Sequence, residues 1–319
     1  MEGALRLVAS VAIVSSVPAV LAARNRLRKT TLLGAWLWGA VALGIWAVTF
    51  FVTEVLGIVS PGVADQMWLA SAALLVCPFI AVLGARRPGS RVWGLFIVAP
   101  LAVVLDLPAV TAWNRDFHPA SLRLEVPMLA GYGLVLLMGA GNYLGTRFAL
   151  PALFAASAML LVPVSMSSLH WLPESFPTRA TASLLLGIAV WIAAIAMRNA
   201  ARRGGSLRPS PIPMDFGELS RAREGGVRTA SPFALLWNDF RDLYGIVWAR
   251  RVLDRVNDAA VHESWPVRLH LHGFAGLDPA HPPSLAPEQL QQIERTLRWL
   301  LRRFVDPEWI DERIAERGT

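Results

Sequence analysis

The sequence is short of cysteine, of lysine and of charge. Its single cysteine, Cys77, lies inside an apolar run. One cysteine excludes an internal disulfide, a cysteine-based zinc site and a Cys-x-x-Cys-His haem attachment, and Cys77 reads as a core thiol. Lys29 is the only lysine; the other basic residues are arginine. Charged residues make up 17% of the 319 positions, where a soluble domain carries about 25%. Catalytic signatures are missing too. There is no Gly-rich phosphate loop, no Gly-x-Ser-x-Gly elbow and no His-Glu-x-x-His pair. The stretch after residue 230 is too short for a histidine-kinase body or a nucleotide cyclase. No cofactor and no metal is expected.

The formal net charge of +7 invites a nucleic-acid reading until it is divided along the chain. Residues 1–198 carry +6 and residues 199–319 carry +1. The soluble-looking part is therefore nearly neutral. Nucleic-acid binding needs a concentrated basic surface, so it is not expected.

What the chain has instead is long apolar runs. Leu32 to Thr53 contains no charge, and Arg24, Arg26, Arg28 and Lys29 stand directly before it. At about 1.5 Å per residue, roughly 20 apolar residues cross a hydrocarbon core of about 30 Å. Six further runs have the same character: Ala4–Ala22, Met67–Ala85, Val92–Trp113, Val126–Gly145, Phe148–Leu169 and Ala180–Met197. A cleaved signal peptide ending near Ala22 would put the Arg24–Lys29 cluster outside and invert every later loop, so the first run is taken as retained.

Basic residues cluster in alternate loops, at Arg86, Arg87 and Arg91, at Arg147, and at Arg198, Arg202 and Arg203. That alternation predicts seven spans with the amino end outside and the carboxyl end in the cytoplasm. The expected fold is an all-α polytopic membrane protein. Its seven-helix membrane domain covers 1–198, a flexible linker 199–230, and a small, mainly helical cytoplasmic domain 231–319. Tryptophans 36, 38, 68, 93, 113 and 171 lie near run ends, as an interfacial belt would place them. Gly141 and Gly145 form a GxxxG pair that allows close helix packing in lipid.

Asp106 is the residue that fits a span least. A carboxylate there costs about 3 kcal/mol on insertion scales. Glu54, His118, His170 and Glu174 fall at similar depth or in outside loops, and with Asp106 they form a candidate outer-face polar site. The alternative is that Glu54, His170 and Glu174 lie among headgroups while Asp106 is paired or protonated.

In the tail, Ser231-Pro232 reads as a helix start. Apolar residues then recur at three- and four-residue steps from Phe233 to Ala260, one face of an amphipathic helix. Trp265 to Gly273 alternates and could be one strand, with no partner apparent nearby. His270 and His272 would share a face of it, a weak metal pair. A second amphipathic helix follows Pro287.

A domain of about 90 residues makes a small core, and leftover apolar faces would seek a partner. Trp237, Tyr244, Trp248 and Trp299 are the partner-binding candidates. The expected function is a membrane anchor or scaffold whose tail docks a protein partner, with the lipid bilayer as its other partner. The alternatives are a transporter or membrane enzyme built around Asp106, or a seven-span sensor. The composition points to a bacterial cytoplasmic membrane.

Overall fold

The computed structural model describes residues 2–115, 122–169, 171–173, 175–203, 233–277 and 285–315. The expected linker, 199–230, lies outside them beyond residue 203. The chain forms two compact units, Met1–Met197 and Arg198–Thr319.

The first unit is built from apolar helices because each run is long, unbroken by charge and able to satisfy its backbone internally. They are α1 (Glu2–Leu27), α2 (Leu33–Phe50), α3 (Pro61–Leu83), the short α4 (Ser90–Trp93), α5 (Ala99–Arg115), α6 (Val126–Gly141), α7 (Ala149–Ser165) and α8 (Thr178–Arg203). Four of the described helices are long and apolar enough to cross a membrane: α1, α2 with its extension to Val55, α3, and α8 over Thr178–Ala200. The remaining apolar helices, Gly94–Leu107, α6 and α7, are shorter. Two π-helical turns interrupt the α-geometry, at Phe51–Val55 after α2 and at Gly94–Val98 between α4 and α5.

Apolar side chains line the outside of the bundle as well as its interior, unlike a water-soluble bundle. Leu7, Val11, Val48, Val103, Leu137 and Leu150 point outward. Trp46, Trp68, Phe50 and Ile13 fill the interior. Trp46 and Trp68 meet edge to face, with ring centroids 5.0 Å apart. An outward surface of this kind is stable in lipid and a liability in water.

Several interior polar groups are paired. Thr49 and Ser71 share a 2.8 Å hydrogen bond, and the Trp46 indole donates to Ser183 Oγ at 3.0 Å. Trp68 is thus a core residue, fully buried and donating to Thr53 Oγ1 at 2.9 Å, rather than a member of an interfacial belt. Trp171 is exposed, as a belt residue would be.

The helices alternate in direction. At one end, the start of α1 meets the end of α2 through Arg6 and Glu54, and the start of α3 meets the start of α8 through Asp65 and Arg179. The segment before α6 pairs there with the segment after α7, through Leu124 N–H to Met166 O at 2.8 Å. At the other end, Thr31 donates to Ala85 O at 2.5 Å, and Arg26 donates to the Met197 carbonyl. The Asp65–Arg179 end is called the first end below and the other the second end.

The glycine pair does not pack helices together. A Cβ on Gly141 would meet nothing within 4 Å, and Gly145 lies beyond α6 in a turn with φ of 79°. Close approach occurs instead at Gly139 and Gly187. A Cβ on Gly139 would stand 2.7 Å from Phe79 Cβ, and one on Gly187 would stand 2.7 Å from Ala12 Cβ and 2.9 Å from its backbone carbon. Backbone cannot yield as a side-chain tip can, so Gly187→Ala should cost about 1–3 kcal/mol through overpacking. Gly141→Ala should be neutral. Thermal unfolding of both variants in the same detergent checks this, and equal midpoints would contradict it.

The second unit contains α9 (Ala234–His262), β1 (Val267–His270), β2 (Gly273–Gly276), α10 (Pro287–Leu301) and α11 (Pro307–Ala315). The expected continuous helix is broken at Gly245, which takes φ 78° and ψ 179°, a region open essentially to glycine alone. The strand at Val267 does have a partner. It pairs antiparallel with Gly273–Gly276, Leu269 opposite Phe274. His270 lies on β1 and His272 in the turn after it, so they do not share a strand face.

The Asn257 side chain lies along the other edge of β1. Its amide nitrogen donates to Leu269 O at 2.9 Å, and its oxygen accepts from Leu269 N–H at 2.8 Å. Phe240, Tyr244, Trp248 and Phe304 form the aromatic centre of this unit. Phe240 stacks on Tyr244 at 4.9 Å and meets Phe304 edge to face at 5.2 Å.

Candidate functional site

The first end of the bundle holds a network of charges drawn from four helix termini. Arg179 stands in the first turn of α8. Its Nη1 lies 3.3 Å from Glu54 Oε1 and its Nη2 lies 2.5 Å from Asp65 Oδ1. Asp65 belongs to α3, and its second oxygen accepts the Leu122 backbone N–H at 2.9 Å. Glu54 sits in the π-helical turn that ends α2. Arg6 of α1 donates to the Glu54 carbonyl at 3.2 Å, has Glu54 Oε2 at 3.8 Å, and also pairs with Glu2 at 2.8 Å.

Exposure separates the strong part of this network from the weak. The side chains of Glu54 and Asp65 are 12% and 11% exposed and that of Arg179 is 28%, against 42% and 63% for Arg6 and Glu2. Charges out of water interact strongly only when geometry and hydrogen bonds are complete. Asp65 meets that condition, with a partner on each oxygen. The Arg6–Glu2 pair is solvated and contributes little. The core of the site is therefore Arg179 held between two carboxylates, a clamp that ties α2, α3 and α8.

Of the two described members of the sequence-predicted polar cluster, Glu54 joins this clamp and Asp106 does not. Asp106 lies on α5 and shares none of these partners; its Oδ1 is buried with no hydrogen-bond partner. His118, His170 and Glu174 lie outside the described residues. Among the described residues no group of three His, Cys, Asp or Glu side chains is placed to hold a metal ion. A groove of about 470 Å³ between α2 and α3, lined by Val41, Ile45, Val48 and Met67 among others, carries no titratable group and suits hydrocarbon.

Sequence reasoning missed Asp65, Arg179 and Arg6. A usable signal was present. Arg6 and Arg179 stand at run ends assigned to the outside, where arginine is disfavoured. A cation out of place there needs a carboxylate, and Glu54 and Asp65 were the ones at the same depth.

The aromatic candidates of the tail are mostly internal. Trp237 and Tyr244 are fully buried and Trp248 nearly so. The Trp237 indole donates to His270 O at 2.9 Å, and the Tyr244 hydroxyl donates to Phe304 O at 2.6 Å. Asp242 is buried beside Arg241, whose guanidinium also donates to Leu271 O at 2.6 Å. These aromatics fill the domain's own core because α11 and the turn after α10 fold back onto α9. Trp299 differs: it is 50% exposed.

No family model matches the chain, and neither a curated protein nor a solved structure is similar to it.

Proposed function

We propose that this chain is a polytopic membrane anchor. In this reading seven apolar helices cross the cytoplasmic membrane, the amino end lies outside, and the domain after residue 230 docks a protein partner in the cytoplasm. The observation that carries it is how charge sorts between the two ends of the bundle.

The second end gathers Arg24, Arg26, Arg28, Lys29, Arg86, Arg87, Arg147 and Arg198, and the loop segments that hold them contain no carboxylate. The first end holds Arg6 and Arg179, both paired with acids, and an exposed arginine, Arg123, with Glu125 two residues on. Cationic loops that contain no carboxylate are retained in the cytoplasm, whereas a guanidinium neutralised by an acid offers little resistance to leaving it. The helix directions described above put the basic segments after α1, α3 and α6 on one side, which supports this reading.

The bundle interior favours an anchor over a conduit. Thr49, Ser71, Trp46 and Ser183 are spent on one another in its interior, and the α2–α3 groove is apolar. A second reading, a transporter or membrane enzyme, is favoured by the unpartnered Asp106 oxygen.

One experiment separates the two. Reporter fusions at Pro61 and Pro211 should report outside and inside respectively. The full chain in mild detergent should bring down a stoichiometric partner that is lost when residues 231–319 are removed and kept in Asp106→Asn. An exterior Pro211 fusion would overturn the topology. Partner recovery independent of 231–319 would remove the docking role, and loss of activity or growth in Asp106→Asn would favour the second reading.

A further inference from the structure

We propose that the outer face of α10 is a lipid-contact ridge, on which Trp299, Arg295, Arg302 and Arg303 settle on an anionic membrane surface. The inference goes beyond the docking role; it rests on the same tethering of the domain to a membrane.

The ridge follows from the helix period. Ile293, Leu297 and Leu301 are buried against the domain. Glu288, Gln291, Arg295, Trp299 and Arg302 occupy the opposite, exposed stripe at three- and four-residue steps. The amino-terminal half of that stripe is polar. Its carboxyl-terminal half is an exposed indole among guanidiniums, with Arg302 and Arg303 each 5.7 Å from the Trp299 ring. An amphipathic ring held among cations is what the headgroup layer accommodates: the indole enters the interface and the guanidiniums meet phosphate.

Charge bookkeeping over the whole domain hides this. The domain is nearly neutral, but many of its acids are committed elsewhere. Glu294 and Asp311 hold Arg298 at 2.7 and 2.6 Å, and Asp239 holds Arg313 at 2.9 Å. Partial burial works against the Arg298 charge, but Glu294 and Asp311 outweigh it and hold its pKa above the ordinary value. Arg298 is thereby fixed on the flank. Of the next carboxylates along the chain, Asp306 directly precedes α11 and Glu308 stands in its first turn.

Tethering makes a weak surface sufficient. Only residues 204–232 separate the described end of α8 from α9. Fully extended, that length spans at most about 100 Å, so the domain is never far from lipid. Each arginine near an anionic leaflet strengthens contact roughly fivefold, and three of them with one tryptophan give reversible contact.

The test uses the full chain in lipid nanodiscs, made either of phosphatidylcholine alone or with phosphatidylglycerol. A fluorophore on Gln291→Cys reads quenching by spin-labelled lipid, and one on Glu263→Cys, an exposed position on another element, serves as control. Quenching at 291 should be strong in anionic discs, weak in neutral discs and suppressed by 1 M salt. The lipid contact it reads should weaken about thirtyfold in Arg302→Gln/Arg303→Gln and weaken also in Trp299→Ala, with residue 263 unaffected throughout. Equal quenching in both lipids, or quenching indifferent to these substitutions, overturns the proposal. A response at 291 to soluble polyglutamate but not to anionic lipid overturns it in favour of an acidic protein surface. None of these outcomes depends on whether a protein partner is recovered, so this proposal and the docking role fail separately.

Discussion

Arg179→Met is expected to destabilise the membrane bundle by about 3–5 kcal/mol, the usual consequence of removing one member of a mostly buried charge group. The loss arises less from the missing attraction than from what stays behind. Glu54 and Asp65 would remain at 12% and 11% exposure with their guanidinium gone. Two carboxylates at the end of the bundle would repel, with only the Leu122 N–H left on Asp65 and the half-exposed Arg6 left near Glu54. Adding Glu54→Gln and Asp65→Asn to Arg179→Met should recover a large part of the loss, because neutral amides need no counter-charge. The measurement is thermal unfolding of the purified chain in one detergent. A triple variant no better than the single one would show that the network acts by shape and not by charge.

Phe240→Ala should have an effect of similar size in the second unit, about 3–5 kcal/mol. Phe240 is fully buried, and three aromatic neighbours lean on it: Tyr244, Phe304 and Trp237 at 6.1 Å. Truncation leaves a void that Tyr244 cannot fill, since its hydroxyl is fixed to the Phe304 carbonyl. A domain is stable by only about 5–15 kcal/mol in total, so the loss removes much of the margin. Amide hydrogen exchange on the full chain reads it directly. Amides of Ala234–His262 and Pro307–Ala315 should exchange much faster, while those of α3 keep wild-type protection. Unchanged exchange over α9 would mean that Phe240 is not the keystone of this core.

The bundle was legible in the sequence to the extent that its signals are local. An apolar run declares itself without reference to any neighbour. Helix boundaries accordingly fall within a few residues of the runs, as with Val126–Gly141 and Thr178–Arg203. What was not legible depends on distant pairs. Glu54 and Arg179 are 125 positions apart, and no spacing rule joins them.

The glycines teach the same lesson at short range. Gly141 and Gly145 match a packing motif by spacing, yet the helix ends between them. Gly139 and Gly187 carry the close approaches and match no motif. In the tail, the heptad-like run from Phe233 to Ala260 concealed a break at Gly245, because apolar periodicity survives a local change of backbone direction. The second strand was missed because Gly273-Phe274-Ala275-Gly276 has neither alternation nor branched side chains. Tryptophan was misplaced for a different reason: a long indole near a run end reads equally well as an anchor or as core, and only its neighbours decide. Trp68 went inward, and Trp299 stayed out.

The Asn257 amide has a consequence for solubility. A two-stranded hairpin leaves backbone donors and acceptors unclaimed along its rim, and such a rim invites copies of the same chain to add on. At Leu269 the asparagine carboxamide imitates a neighbouring peptide group, giving and taking one hydrogen bond as a third strand would. The hairpin is thereby finished with a side chain in place of another strand, and self-templated fibril growth is blocked at its middle rung.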